Sequence, residues 1–287
     1  MFGAIEAGGT KFVCAVGQDI HNIVDQLTIP TTTPEETMPQ VIEFFKKYKD
    51  SLKAMGIASF GPIDINEKSE TYGYITNTPK IKWRHTDFLG WLKKEFPNVL
   101  LTWTTDVNGS AYGEYTVRED VQNLVYYTIG TGVGGGAVIN GQLLQGKTHP
   151  EMGHVSVRKQ HDDRFEGVCP THGDCLEGLV SGTAVEARMG MPSKEIPEDD
   201  QYWDLQAHYI AQSMLNTSLI MVPEVIILGG GVMKVPGLIE KIHEEFMELN
   251  RGYAPINSVE DYLVLPQLGD SAAVVGCIAM AQDSLTK

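Results

Sequence analysis

Cysteine is scarce. Cys14, Cys169, Cys175 and Cys277 are the only four in 287 residues, too few for a disulfide framework, and this usage fits a reducing compartment. Basic residues are outnumbered, 22 Lys and Arg against 37 Asp and Glu, which gives a formal net charge of −15. No run of Lys or Arg occurs, so the electrostatic footprint of a nucleic-acid surface is missing and nucleic acid is excluded as an expected partner. No apolar run approaches the ~18 residues of a membrane span, which excludes a membrane partner on the same ground. The opening Met1-Phe2-Gly3-Ala4-Ile5-Glu6 lacks the basic start and long apolar run of a secretion signal. The composition, 42% hydrophobic and 21% charged, is that of a globular chain expected in the cytoplasm. Its length suits one large domain or two medium ones, with a core that needs no disulfide or metal to fold. These bounds point to an enzyme acting on small molecules.

Glycine, by contrast, is plentiful, and its 30 residues are clustered. Gly8-Gly9 separates the apolar segments 2–7 and 12–16, which reads as strand, tight turn, strand, with a third strand over 23–29. After Pro34, the residues Met38, Val41, Ile42, Phe44, Phe45 and Tyr48 recur at helical spacing. A strand over 54–58, a helix over 88–96, a strand over 99–104 running into Asp106, and a helix over 110–118 complete the first half. The second half repeats this grammar. A strand over 124–129 meets a glycine turn from Gly130 to Gly136, a strand over 137–139 follows, and a further one starts at Gln142. A long helix over 202–221, a buried strand over 225–228, a helix over 238–249, a strand over 262–265 and a final helix over 271–283 close the chain. Such a repeat is an internal duplication. Mixed strand directions with helices between them indicate layered α/β domains. The expected division falls near Asn108, giving lobes over 1–108 and 109–270 that face each other across a cleft.

A turn without Cβ atoms lets backbone N–H groups approach a polyphosphate. Gly8-Gly9-Thr10-Lys11 does not have the Walker A order, which places Gly-x4-Gly-Lys-Ser/Thr before a helix. Its glycines join two strands, with the Thr10 hydroxyl as a donor and Lys11 as a counter-charge. Alone, such a turn is more often a plain hairpin. Gly130-Thr131-Gly132 at the equivalent place in the second half changes that reading, because paired cradles suggest one nucleotide held by both halves. Gly229-Gly230-Gly231, followed by Val232 and Met233, is either a strand-to-helix turn or a close backbone approach to adenine or ribose.

Thr105-Asp106-Val107-Asn108-Gly109 sits where a central strand ends and a helix begins. An Asp there is often a helix N-cap. The carboxyl ends of parallel strands are also where open α/β sheets place ligands. A carboxylate there can take a proton from a substrate hydroxyl as its oxygen attacks a γ-phosphate, or help to orient Mg²⁺.

The segment Cys169-Pro170-Thr171-His172-Gly173-Asp174-Cys175 has the spacing Cys-x2-His-x2-Cys, with His154 upstream as the natural fourth ligand. Two thiolates and two imidazoles suit tetrahedral Zn²⁺, and four protein ligands make a closed, structural site. The alternatives are small buried cysteines with incidental histidines, or a Cys169–Cys175 disulfide, which a reducing compartment disfavours. A metal would bring Glu151 and Glu177 near one another, where both can accept hydrogen bonds from sugar hydroxyls. Without it they read as ordinary surface carboxylates.

Together these pieces, with Glu6-Ala7 ahead of the first turn, Gly61-Pro62-Ile63-Asp64 and Asn77-Thr78-Pro79, resemble the ROK family of sugar kinases over essentially the whole chain, and its bacterial fructokinases most. The resemblance implies an actin-like ATPase (ribonuclease H-like) duplicated fold, ATP with Mg²⁺ in the cleft, a structural Zn²⁺ and a homodimer. Asp106 then matches the catalytic base. Glu151, His154 and Glu177 match sugar-binding positions, with Asn77 and Asn108 as further candidates. Gly8, Gly9, Thr10, Lys11, Thr131, Gly132, Gly229, Gly230, Gly231, Val232 and Met233 fall on the nucleotide loops, and His154, Cys169, His172 and Cys175 on the metal site. The family's final helix returns to the N-terminal lobe, which places 271–287 there. Two departures stand out: the family's commoner metal motif is Cys-x-Cys-x4-Cys, and Glu6 stands where many relatives have Asp. The implied activity is phosphorylation of a hexose, D-fructose to fructose 6-phosphate, with glucose, mannose or N-acetylmannosamine as alternative acceptors. A non-catalytic, sugar-sensing regulator of the same family is the alternative from another class. It needs a DNA-binding helix-turn-helix ahead of the sugar domain, for which a phosphate loop at residue 8 leaves no room.

Overall fold

The computed structural model describes residues 1–286. Two compact units are present, one formed by Met1–Glu119, Leu143–His149 and 268–286, the other by Asp120–Gln142 and Pro150–Gln267.

In the first unit, β1 (Phe2–Ala7) pairs antiparallel with β2 (Lys11–Gly17), which pairs antiparallel with β3 (Ile23–Pro30). α1 (Pro34–Lys46) starts with proline, carries Glu35 and Glu36 in its first turn and ends on Lys46, an arrangement that suits the helix dipole. It buries Met38, Val41, Ile42, Phe44 and Phe45. β4 (Ala54–Ser59) is buried throughout and parallel to β1, as expected of a strand covered on both faces. A ribbon of β5 (Tyr74–Ile75) and β6 (Thr86–Asp87) leads into α2 (Phe88–Glu95), which Asp87 caps by accepting from the Gly90 amide. β7 (Leu100–Thr105) and α3 (Asp106–Thr116) follow, and the sheet runs β3-β2-β1-β4-β7. Phe12, Trp83, Phe88 and Trp103 stack through its core.

The second unit repeats the plan with β8 (Leu124–Ile129), β9 (Val133–Ile139) and β10 (Gln142–Leu143). The helices α4 (Leu176–Val180), α5 (Gly182–Met189) and α6 (Tyr202–Met221) precede β11 (Val225–Gly229). Then come α7 (Leu238–Asn250), α8 (Val259–Tyr262) and β12 (Leu263–Val264). The sheet order β10-β9-β8-β11-β12 is that of the first sheet, so the duplication is a property of the fold. The chain ends with α9 (Ala272–Asp283), which belongs to the first unit and packs on α3, β1 and β4. This contact demands glycine: a Cβ on Gly276 would stand 1.9 Å from the Gly109 carbonyl oxygen, and one on Gly56 2.0 Å from that of Cys277.

Sequence and structure differ at several places. The helix expected over 110–118 already begins at Asp106. Of the glycine turn expected over 130–136, residues 134–136 lie in β9, paired with β8, and the missing Cβ of Gly135 leaves room for Met152. The strand expected over 262–265 is reduced to β12 by the helical turn α8, which Ser258 caps. Where the sequence suggests a division near Asn108, the first unit continues through α3 to Glu119. Among the described residues no helix is long and apolar enough to cross a membrane.

Candidate active site

In the first unit, the Gly8 amide donates to the Lys11 carbonyl at 3.0 Å, and a Cβ on Gly8 would meet that oxygen at 2.7 Å. The end of β3 braces the turn: Thr31 Oγ1 donates to the Gly8 carbonyl at 2.8 Å and the Thr31 amide to that of Thr10 at 3.0 Å. The side chains of Thr10 and Lys11 are exposed. Lys80 lies over the same turn, with Cε 2.9 Å from where a Cβ on Gly9 would stand and Nζ 5.8 Å from the centre of the Phe60 ring. Sequence reasoning missed this lysine, whose one signal is its place directly after Asn77-Thr78-Pro79. Asn77 is exposed in that loop.

The Thr105 side chain, accepting from the Asn108 amide, is the N-cap of α3. Asp106 is therefore not the cap. It opens the helix with Oδ1 accepting from the Val107 amide at 2.8 Å. Asn108 is fully buried, with Nδ2 donating to Thr104 Oγ1 at 3.0 Å and Oδ1 lacking a partner. On β1, burial and then the negative charge of Asp106 push the Glu6 carboxyl up to about 7, with Lys11 opposing them.

In the second unit, the turn between β8 and β9 is clamped at three residues, Gly130, Thr131 and Val133. The Gly182 amide donates to the Gly130 carbonyl at 2.6 Å, Thr183 Oγ1 to the Thr131 carbonyl at 2.8 Å, and the Val133 amide to Glu177 Oε2 at 3.0 Å. A Cβ on Gly132 would stand 2.6 Å from that carboxylate oxygen. Beside this turn runs Gly229–Gly231. Gly230 has φ +94° and its Cβ would stand 2.4 Å from the Ile129 carbonyl oxygen, so only glycine fits. Val232 and Met233 bury their side chains.

The histidine and cysteine candidates come together. His154 Nδ1 lies 3.6 Å from the Sγ atoms of both Cys169 and Cys175, and His172 Nδ1 lies 3.8 Å from Cys169 Sγ. The four ligand atoms all lie within 4.8 Å of one another. Tetrahedral zinc with Zn–S of ~2.3 Å and Zn–N of ~2.0 Å separates neighbouring ligand atoms by roughly 3.3–3.8 Å, so the set fits that ion. Both thiols are free and buried. Glu177 Oε1 stands 4.0 Å from His154 Nδ1, while Glu151 is exposed at the start of the short 3₁₀ turn Met152–His154.

The ROK family model matches residues 2–284. A fructokinase from Streptococcus mutans is 45% identical over 286 residues, which cover 98% of this chain and 97% of that one. Among solved structures, a ROK hexokinase from Thermus thermophilus aligns with a TM-score of 0.81 at 23% identity, covering 99% of each chain. A ROK family glucokinase from Streptomyces griseus, in complex with glucose and AMPPNP, aligns with a TM-score of 0.73 at 21% identity, covering 97% of this chain and 98% of that one.

Proposed function

The chain belongs to the ROK family and has the actin-like ATPase fold of its sugar kinases, and we propose from that premise that it is an ATP-dependent fructokinase. The observation that carries the acceptor is the 45% identity, over nearly the whole of both chains, to a fructokinase. Asp106 takes the proton of the fructose 6-hydroxyl as that oxygen attacks the γ-phosphorus. The bond from the γ-phosphorus to the β,γ-bridging oxygen breaks, ADP leaves, and the proton stays on the Asp106 carboxylate. The opening of α3, where Thr105 performs the capping, supports this role.

The glycine turns at Gly8–Lys11 and Gly130–Gly132 present backbone N–H groups to the phosphates, and Gly229–Gly231 gives room for the nucleoside. Lys11 and Lys80 neutralise charge as it shifts towards the bridging oxygen. Mg²⁺ carried by ATP would supply further neutralisation, with Asp106 as the residue that would help to orient it. Glu151, His154 and Glu177 receive the sugar hydroxyls, with Asn77 as a further contact. His154, Cys169, His172 and Cys175 would hold Zn²⁺, which supplies rigidity to the loop they close. With Nδ1 facing the thiols, His154 keeps Nε2 for a hydroxyl. Four unpaired cysteines fit a cytoplasmic enzyme, and we assign it there as a homodimer.

The test is ADP release over a panel of hexoses. Fructose should give the highest kcat/KM. A higher value for glucose, mannose or N-acetylmannosamine would reassign the acceptor, and sugar binding with no ADP release would mark a sensor.

A further inference from the structure

We propose that Glu177 is a positioning residue that couples the Cys/His cluster to the Gly130–Val133 turn, so that metal occupancy sets the affinity for ATP itself. This rests on reading that turn as a phosphate cradle and the cluster as a zinc site. The carboxylate spans the two: Oε2 accepts from the Val133 amide at 3.0 Å and Oε1 lies 4.0 Å from His154 Nδ1. The position of Glu177 is inherited from a metal ligand, because Cys175 is the N-cap residue of α4 and Glu177 lies in its first turn.

The other ligand segment is tied to the same place. The Leu176 amide donates to the Val155 carbonyl at 2.9 Å, next to His154. A Cβ on Gly153 would stand 1.9 Å from the Val133 carbonyl oxygen, so the backbone before His154 lies directly on the start of β9. The remaining clamps on the turn come from α5, through Gly182 and Thr183; its cap residue Ser181 accepts from the Ala184 amide at 3.1 Å and donates its own amide to the Glu177 carbonyl at 3.1 Å. The Glu177–Val133 bond is the clamp that comes from α4 directly, next to the cluster. The loop leading to Cys175 is largely exposed, while Cys175 and Leu176 at its end are buried. A carboxylate–amide bond is charge-assisted and directional, so a small displacement of α4 breaks it.

The experiment is calorimetric titration with ATP–Mg²⁺, without sugar, of the zinc-loaded and zinc-stripped wild type, Glu177→Ala and Glu177→Gln, with zinc content measured in parallel. Glu177→Ala should keep one zinc per chain and bind ATP about tenfold more weakly, the scale of losing one hydrogen bond to a charged group. Glu177→Gln, which still offers an oxygen to the Val133 amide, should bind ATP nearly as the wild type does. Stripping the wild type should cost about what Glu177→Ala costs, and stripping Glu177→Ala should add little, because both act through one link. Unchanged ATP affinity in Glu177→Ala, or losses that multiply when combined with stripping, would overturn the coupling. Should Glu177→Ala not fold, unchanged ATP affinity in the stripped wild type overturns it equally. A wild type that binds no ATP in any state brings down the cradle reading, and the coupling with it.

Discussion

The Thr105 hydroxyl accepts a hydrogen bond from the Asn108 amide at 3.2 Å, which places the capping of α3 one residue before Asp106. Capping thereby rests with Thr105, and Asp106 can be altered with the cap intact. Asp106→Asn should lower turnover by ~10²–10⁴-fold, the range for a general base. Fructose affinity should change far less, since an amide still hydrogen-bonds a hydroxyl. Steady-state kinetics beside a fructose titration checks this, and near-normal turnover would remove Asp106 from the role.

Gly132→Val should weaken ATP binding while leaving fructose binding nearly intact. A Cβ at this position meets Glu177 Oε2 at 2.6 Å, so the side chain pushes at the clamp, and if the turn is a phosphate cradle it also fills the path of the phosphate. Unchanged ATP affinity in a folded Gly132→Val protein would contradict the cradle.

Protein purified without chelator should hold one zinc per chain. Removing it should abolish kinase activity while circular dichroism keeps most of its helix and strand signal. Zinc-finger peptides take ~10–16 kcal/mol, their whole folding energy, from such a site, but here each sheet has its own buried core. The contrary results are absence of zinc by elemental analysis, or fructose phosphorylation at the normal rate by verified zinc-free protein.

Glu6 makes stability depend on pH. Its carboxyl goes from 4.5 in the unfolded chain to about 7 in the folded one, so between these values the folded state holds a proton that the unfolded state has lost. Stability from this group is therefore full below pH 4.5 and falls as pH rises through 7. Above that the cost is at most on the order of 3 kcal/mol. Glu6→Gln should raise the melting temperature at pH 8 and leave it unchanged at pH 4, measured without nucleotide or divalent cation. An equal gain at both values would show that burial of Glu6 is not what the variant relieves.

The elements that bury apolar side chains are legible because their pattern is written in side chains: β1, β2, β8 and α1 stand close to where apolar runs or helical spacing put them. Residues 134–136 are not, since glycine carries no pattern, and only pairing with β8 makes them strand. The burial of Asn108 is equally silent. α3 carries glycine, alanine and serine around much of its circumference, so nothing in the sequence marks which side turns inward. The Cys/His cluster is legible because few residue types bind zinc and their spacing is short. The place of Lys80 is hidden because it lies across a loop, over a turn some seventy residues earlier.

The placement of α9 has a consequence for how the protein is made. Synthesis delivers β1 first and α9 last, yet Ala4, Val13, Ala15 and Ala58 share one buried cluster with Val274, Cys277, Ile278 and Met280. The residues of the second unit all emerge before the helix that covers Ala4 and Ala58 does. The half that emerges first is thus the half completed last, and it spends most of translation with one apolar sheet face waiting. A stop codon just before α9, which spares every proposed site residue, would leave that face open for good.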